Sequence, residues 1–340
     1  MNSLSTGLTM DPPGIPESGD LPYPEVKDPV SFDPVRHLEL TRPETIWTLD
    51  QFGYTAEEVA QCASNVGVTS PFRLLSREGV SALYSVADNL RSACTHIEGN
   101  RTPNHLAGGV YRSRFLRDLC TCPQIIDHMS EIAGTDLTPH SMPSQQVYVN
   151  YAPQDVTKAV DAWHYDGIGF DYVIMVSDPT VLKGGAFEYY LGTRKEIADL
   201  EGITVPEVRY GVTRDLPEDQ VIRTQFPGAG YAIFQQGNMV VHRAARLLEP
   251  GDRITAVPGL VSRQSMAQDP TAKQDMTGYN EPGILGELAR HSAWVAQGKL
   301  AGLVRELPLE EDPTMIVKAL REAIKDVNEV AAYLEIEDDA

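Results

Sequence analysis

GYAIFQQGNMVVH, residues 230–242, is an apolar, aromatic and β-branched run opened by Gly230 and broken at Gly237-Asn238. That pattern suits a β-rich run that carries His242 at its end. Four runs of the same kind flank it: QQVYVNYA (145–152), FDYVIMVSD (170–178), GGAFEYYLG (184–192) and RITAVPGLVSR (253–263). Glycine, proline and aspartate punctuate the gaps between them. Many short strands with turn signals between them fit a barrel or a double-sheet jelly roll, and do not fit a parallel sheet fed by helices.

Outward from this β-rich core, 144–264, the pattern changes on both sides. Eight of the 24 prolines fall within the first 43 residues, where apolar periodicity is scant, so 1–44 reads as a Pro-rich extended arm or partly disordered tail outside the core, with room to wrap over it. Residues 45–143 read as helical: TAEEVAQCASNVG opens with a threonine cap and ends at Gly67, SREGVSALYSVADNLRSACTHI repeats apolar residues every three or four positions, and a third helix is expected over Arg114 to Ile132. After Gln264 helical patterns return over 265–340, in PGILGELARHSAWVAQG and DPTMIVKALREAIKDVNEVAAYLEI, and the tail is acidic. The expectation is a mainly β chain with flanking helices.

Composition narrows the function classes. With 340 residues, 42% hydrophobic and 22% charged, the chain can bury a full-sized core. Its formal net charge of -20 repels nucleic acid and anionic membrane surfaces, so neither is expected as a partner. No apolar run reaches the roughly 20 residues of a membrane span, and the N-terminus lacks a secretory pattern, so a cytoplasmic protein is expected. Four cysteines fit a reducing compartment; Cys120 and Cys122 read as ordinary thiols and not as a metal corner.

Chemistry concentrates at Trp163-His164-Tyr165-Asp166-Gly167. An H-x-D pair in extended chain puts an imidazole and a carboxylate on one face, because side chains two apart share it. Alone, the pair also suits a turn whose carboxylate orients a structural histidine. His242, 78 residues on, supplies a second imidazole on a strand that can return beside the first. Two imidazoles and one carboxylate leave three positions of an octahedral ion open, the arrangement of non-haem Fe(II) oxygenases. Eleven residues later Arg253 opens the next apolar run, and a guanidinium there can grip a carboxylate through two parallel hydrogen bonds.

At these residues the chain resembles the Fe(II)/2-oxoglutarate-dependent oxygenases, and most closely their phytanoyl-CoA hydroxylase-like branch, which includes ectoine hydroxylase. The resemblance is carried by Gln146-Val-Tyr-Val-Asn150-Tyr151, Trp163-His164-Tyr165-Asp166, Gly184-Gly185-Ala-Phe-Glu188, and Gly230-x3-Phe234-x7-His242 with Arg253, about a third of the chain. It implies a double-stranded β-helix core, cupin-like, with His164, Asp166 and His242 binding Fe(II). It further implies that Arg253 holds the distal carboxylate of 2-oxoglutarate, that Asn150 hydrogen-bonds this co-substrate, and that Gln146 contacts substrate from the same strand face. O2 is the second co-substrate, and succinate and CO2 are the products. Ala244 stands where the branch often has Ser or Thr, which leaves the carboxylate cradle one donor short. Arg243 and Arg246 are expected to point outward or to pair with Glu249, the alternative being that they compensate for that donor or recognise an anionic substrate.

The reaction implied is oxidation, most simply hydroxylation, of an unactivated C–H bond in a small metabolite. Asp166 stands where halogenases of the superfamily have a small residue that admits chloride, so halogenation is not expected. Two other readings remain open from the sequence: a cupin-like protein that binds metal and carboxylate without turnover, and a triad iron oxygenase that uses no 2-oxoglutarate.

Overall fold

The computed structural model describes residues 11–15, 21–96, 101–212, 214–264, 267–278 and 281–338. Fourteen short strands among them form two antiparallel sheets that face each other. The larger contains Ile46–Thr48 (β1), Val66–Thr69 (β2), Phe72–Arg73 (β3), Thr95–His96 (β4), Asn104–Leu106 (β5), Leu137–Pro139 (β6), Val147–Tyr151 (β7), Phe170–Met175 (β9), Tyr231–Gln235 (β12) and Ile254–Ser262 (β14). Its order is β1-β2-β12-β9-β14-β7-β5-β4, with β3 on β12 and β6 on β14. The smaller contains Asp161–His164 (β8), Phe187–Tyr190 (β10), Val221–Thr224 (β11) and His242–Ala244 (β13), in the order β11-β10-β13-β8. This is the expected jelly roll, an open double-sheet and not a closed barrel.

Period-two alternation divides each strand of the large sheet between two cores. One face, with Val147, Val149 and Tyr151 of β7, Phe170, Tyr172 and Ile174 of β9, and Ile254 and Ala256 of β14, packs on the helices Arg77–Leu90, Arg114–Cys120 and Pro123–Ala133. The other, with Val173, Met175 and Ile233, meets Phe187 and Tyr189 of the small sheet. Each large apolar side chain so buried contributes about 1.5–3 kcal/mol, which is what fixes strand register. The same alternation leaves polar residues at inner-face positions near the sheet edge, and these build the site.

Local differences from the sequence reading have local causes. Thr55 caps a helix of a single turn, Ala56–Val59; Val66–Thr69 then joins the large sheet because its residues bury on both faces. The third helical region breaks at Cys122-Pro123, since Pro123 has no N–H to continue the first helix and instead starts the second. Much of the arm, residues 1–10 and 16–20, lies outside the described residues, but Ile15, Val26, Val30 and Phe32 pack on the larger core. The C-terminal region forms helices Ile284–Glu306, Pro313–Ala323 and Lys325–Asp338.

Gln146 does not lie on a strand face. Pro143–Gln145 form a 3-10 turn, Gln146 caps it with helical dihedrals, and β7 begins one residue later. The four-residue spacing to Asn150 therefore does not place the two side chains side by side. The Gln146 amide instead donates to the His140 carbonyl at 2.8 Å, so the strand face expected to be shared with Asn150 is not formed.

Candidate metal centre

The antiparallel pairing of β13 with β8 sets His242 directly opposite His164. Their rings lie 4.4 Å apart, centroid to centroid. Asp166 follows β8 and is anchored by its backbone N–H, which donates to the Gly237 carbonyl at 2.8 Å. One donor atom from each of His164, Asp166 and His242 falls within a 4.8 Å cluster, as the spacing reading expected.

The imidazoles are oriented by the backbone. His164 Nδ1 lies 2.7 Å from the Ala162 carbonyl, and His242 Nδ1 lies 3.0 Å from that of Val240. A carbonyl can only accept, so each Nδ1 carries the proton and each Nε2 presents a lone pair. Those two Nε2 atoms converge on the carboxylate, at 3.2 Å from Asp166 Oδ1 and 3.4 Å from Oδ2. Burial, with His164 beside it, pulls His242 down to about 4 despite the attraction of Asp166, so the ring is neutral near pH 7. Asp166 stays ionised: burial opposes its charge, but His242, His164 and Arg101 hold it well below the usual carboxylate range. Two imidazoles and a carboxylate are the donor set that a divalent iron takes.

Several groups behind this cluster escaped the sequence reading. Asp171 and Gln235 occupy inner-face positions of the paired strands β9 and β12, where they are register partners. Gln235 Nε2 donates to Asp171 Oδ1 at 2.9 Å and reaches Asp166 Oδ2 at 3.4 Å and His242 Nε2 at 3.0 Å. Burial and the neighbouring Asp166 push Asp171 well above its ordinary range, so of the two adjacent carboxyls it is the one that keeps a proton. A Cβ on Gly237 would overlap Oδ2 of both aspartates. On the solvent side Arg101 binds Asp161 at 2.6 Å and approaches Asp166 Oδ1 at 3.9 Å; despite burial, this cation keeps Asp161 below its ordinary range. The signal was available: a charged or amide residue at an alternating position of an apolar strand, as in FDYVIMV and YAIFQ.

Arg253, which is 1% exposed, sits at the head of β14. Its Nε donates to the Gly185 carbonyl at 2.8 Å, while Nη1 and Nη2 are buried with no hydrogen-bond partner. Burial lowers its pKa to about 10. Gly185 explains part of the GG signature. At φ +71° it takes a conformation that favours glycine, and a Cβ there would stand 2.8 Å from Arg253 Cδ. A buried guanidinium with both terminal amino groups unsatisfied fits an entering carboxylate, the group a 2-oxo dicarboxylate would bring. Asn150 lies on the inner face of β7, opposite Thr255 of β14, two residues along from Arg253.

Of the flanking arginines, Arg246 is exposed, as expected, and Arg243 turns away from the metal cluster. Arg243 pairs with Glu188, not Glu249, at 2.7 Å and lies over the Trp163 ring; Arg223 binds the same carboxylate at 2.8 Å. Glu249 is taken by Lys183. Glu188 of the GGAFE run is thus buried on the far face of the small sheet, where it ties β10 to β11 and β13.

A family model described as "Halogenase D" matches residues 110–280, half of the chain. The chain belongs to the Halogenase D family. Among solved structures, this Halogenase D member is similar to the epimerase SnoN from nogalamycin biosynthesis, in complex with Fe3+, alpha ketoglutarate and nogalamycin RO: 17% identity, 63% of this chain, 83% of that chain, TM-score 0.44. It is also similar to the carbocyclase SnoK from the same biosynthesis, at 16% identity over 64% of this chain and 86% of that one, TM-score 0.42. EctD from S. alaskensis, with 2-oxoglutarate and 5-hydroxyectoine, gives 16% identity over 68% and 82%, TM-score 0.38. No curated protein sequence matches. Family, donor set and sheet architecture agree on the class expected from the sequence, an Fe(II)- and 2-oxoglutarate-dependent oxidoreductase. Within the Halogenase D family this chain carries a carboxylate, Asp166, in the cluster. No helix among the described residues is long and apolar enough to cross a membrane.

Proposed function

We propose that this protein is a dioxygenase that hydroxylates an unactivated C–H bond of a small molecule, converting 2-oxoglutarate and O2 to succinate and CO2. The observation that carries the proposal is the convergence of two backbone-oriented Nε2 atoms and one ionised carboxylate on a common point. His164, Asp166 and His242 hold Fe(II), which with its co-substrates supplies the oxidising power for C–H cleavage. Arg253 anchors the distal carboxylate of 2-oxoglutarate through Nη1 and Nη2, and Asn150 offers its amide from the neighbouring strand. Asp171 and Gln235 keep the Asp166 carboxylate in one orientation. The sandwich walls, Val173, Met175, Phe187 and Tyr189, exclude water.

The family description speaks of halogenation, and Asp166 argues for oxygenation in this chain, since its carboxylate fills a ligand position that a halide would need. Arg253 favours this reading over the two others, because a triad oxygenase without 2-oxoglutarate has no use for a buried unpaired guanidinium.

The test is anaerobic reconstitution with Fe(II) and titration with 2-oxoglutarate, followed by visible absorption, then admission of O2 and assay of succinate. A band and succinate release are expected, with no halogenated product when bromide replaces chloride. A band without succinate would leave the binding-protein reading, and a folded protein with no band would sink the 2-oxoglutarate assignment. Asp166→Ala should abolish succinate formation with the fold intact.

A further inference from the structure

Helices Pro313–Ala323 and Lys325–Asp338 follow one another with only Ile324 between them, and the Asn328 N–H donates to the Ile324 carbonyl at 3.1 Å, so the helical ladder resumes at the junction itself. One side of this pair is already used. Ala323 and Val330 are buried, Leu334 packs on the cluster of Met276 and Leu288, and Asp326 binds Lys273 and Lys299. On the order of 100° round the helix from that side runs a second apolar row. It consists of Val317, Leu320, Ile324 and Val327, which are 46, 48, 41 and 39% exposed.

Steps of three, four and three residues keep these side chains on one seam, the alternation by which a helix packs along another helix. A row of aliphatic side chains left half in water is the kind of patch that marks an interaction surface, and its spacing makes the occupant a helix. Charge selects which helix. The connection before the row carries Glu310, Glu311 and Asp312, with Leu309 fully exposed beside them. Along the row come Lys318, Arg321 and Lys325, all exposed. Among the described residues Lys318 and Arg321 make no ion pair, Lys325 has only Glu329 at 3.8 Å, and none of the three acids meets a cation. Glu322, the one acid among these bases, is turned to Lys299 at 3.7 Å.

The acids stand five to seven residues before Val317, and Arg321 and Lys325 stand four and eight after it. A two-fold axis beside Val317 that lays a second copy antiparallel therefore sets the acids of each copy against these bases of the other, and Leu309 against Ile324. A parallel pairing would set acid on acid and base on base. We infer that this protein forms a symmetric dimer in which the row Val317, Leu320, Ile324 and Val327 packs antiparallel on the same row of a second copy. Exposed ion pairs contribute little energy, so the charges fix direction and register while the apolar row supplies the attraction. One helical seam makes a small interface and the net charge of -20 opposes association, so a weak dimer is expected, with a Kd on the order of 10–100 µM. The iron site plays no part in it.

Sedimentation velocity of the full chain, from about 1 to 300 µM, tests the inference and should show monomer passing into dimer as concentration rises. Leu320→Lys should keep the circular dichroism of the parent, because the side chain is half exposed, and should weaken dimerisation about tenfold or more. Should Leu320→Lys fail to fold, Val317→Lys takes its place with the same expectation. Glu311→Lys and Arg321→Glu test the register. Each alone should weaken the dimer roughly threefold or more, and the double variant, which restores opposite charges across the axis, should return to within about twofold of the parent. A chain that stays monomeric over this range, a dimer indifferent to a lysine in the row, or a double variant no better than the single ones would overturn the assignment.

Discussion

Gly237→Ala tests whether the second layer behind the metal centre is built as tightly as it looks. Gly237 does not need glycine for its backbone, since its φ lies outside the left-handed region, so the added methyl acts only through space. That methyl would fall against Asp166 Oδ2 and Asp171 Oδ2, inside the 3.0 Å that Cβ atoms essentially never show, with Asp166 Cβ at 3.1 Å. To restore ordinary contact both carboxyl groups must retreat by on the order of 1 Å, several times the roughly 0.2 Å over which a metal–ligand distance can vary. Asp171 is held by Gln235, and Asp166 is tethered through its own N–H to the Gly237 carbonyl, so neither is free to swing away. Overpacking should cost about 1–3 kcal/mol of stability, and the displaced carboxylate should weaken Fe(II) binding by about 10–100-fold, as loss of outer-layer support does. Anaerobic Fe(II) titration and thermal unfolding of the metal-free chain measure the two effects separately. Gly167→Ala is the control, one residue from Asp166, where a Cβ meets only Ala272 Cβ at 3.3 Å and Met276 Cε at 3.7 Å; it should keep Fe(II) affinity within threefold. Wild-type affinity in Gly237→Ala would refute the tight second layer.

Other expectations follow from the same geometry. Gly185→Ala should strain a backbone at φ +71° and press on the Arg253 side chain, so that 2-oxoglutarate binding measured by the visible band weakens at least tenfold while Fe(II) affinity holds. Arg253→Gln should weaken 2-oxoglutarate by one to three orders of magnitude, about 1.4–4 kcal/mol, in line with loss of a buried charged anchor; an unchanged half-saturation would move the co-substrate elsewhere. Stability should fall with acid well before the carboxylates titrate. Burial and the stacked His291 lower His140 to about 3 against the pull of Asp269, so the unfolded chain takes up a proton below about 6.5 that the native chain refuses. Its contribution is fully present above pH 6.5 and is lost as pH falls toward 3, at up to about 1.4 kcal/mol per pH unit. Urea midpoints between pH 7 and 4 should drop accordingly, and His140→Asn, which can still accept from the Met142 N–H, should flatten that slope.

The sequence made legible whatever depends on pattern within one strand or on paired types at fixed spacing. The two-sheet architecture came from five short apolar runs, and the ligand cluster from H-x-D and a histidine ending a strand. Arg253 was singled out because a guanidinium opening the apolar run eleven residues after His242 can grip a carboxylate, and its burial without an acidic partner among the described residues follows from that position at the head of β14. What stayed hidden depends on which strands become neighbours. Asp171 and Gln235 lie 64 positions apart and become a pair only because β9 and β12 are adjacent. The shared strand face of Gln146 and Asn150 did not form for a local reason: alternation was extended back to Gln145 and Gln146, where the chain is still completing the turn of Pro143–Gln145. Val66–Thr69 was absorbed into a helix because a four-residue strand carries too little pattern to outweigh a well-capped helical start.

Charge explains why these parts occur together. Around the site stand three carboxyl groups, the buried Asp161 and Asp171 and the partly exposed Asp166, and one buried arginine with no acidic partner among the described residues, Arg253. Asp161 is answered by Arg101, and Asp171 by a proton. Asp166, with only the longer 3.9 Å approach of Arg101, and Arg253, with no acidic partner among the described residues, are left at the two ends of the site. A divalent cation on Asp166 and a dianion reaching Arg253 bring the sum of these four charges to zero, whereas either ligand alone leaves a net charge in a low-dielectric interior. A monoanion in place of the dianion would leave the set one charge positive, and a neutral residue in place of Asp166 would do the same unless a halide came in with the metal. The charge pattern therefore accounts both for a dicarboxylate co-substrate and for an oxygenase in a family described by halogenation: with Asp166 ionised and enclosed by Gln235, Asp171 and Gly237, the anion that a halide would supply is already part of the chain.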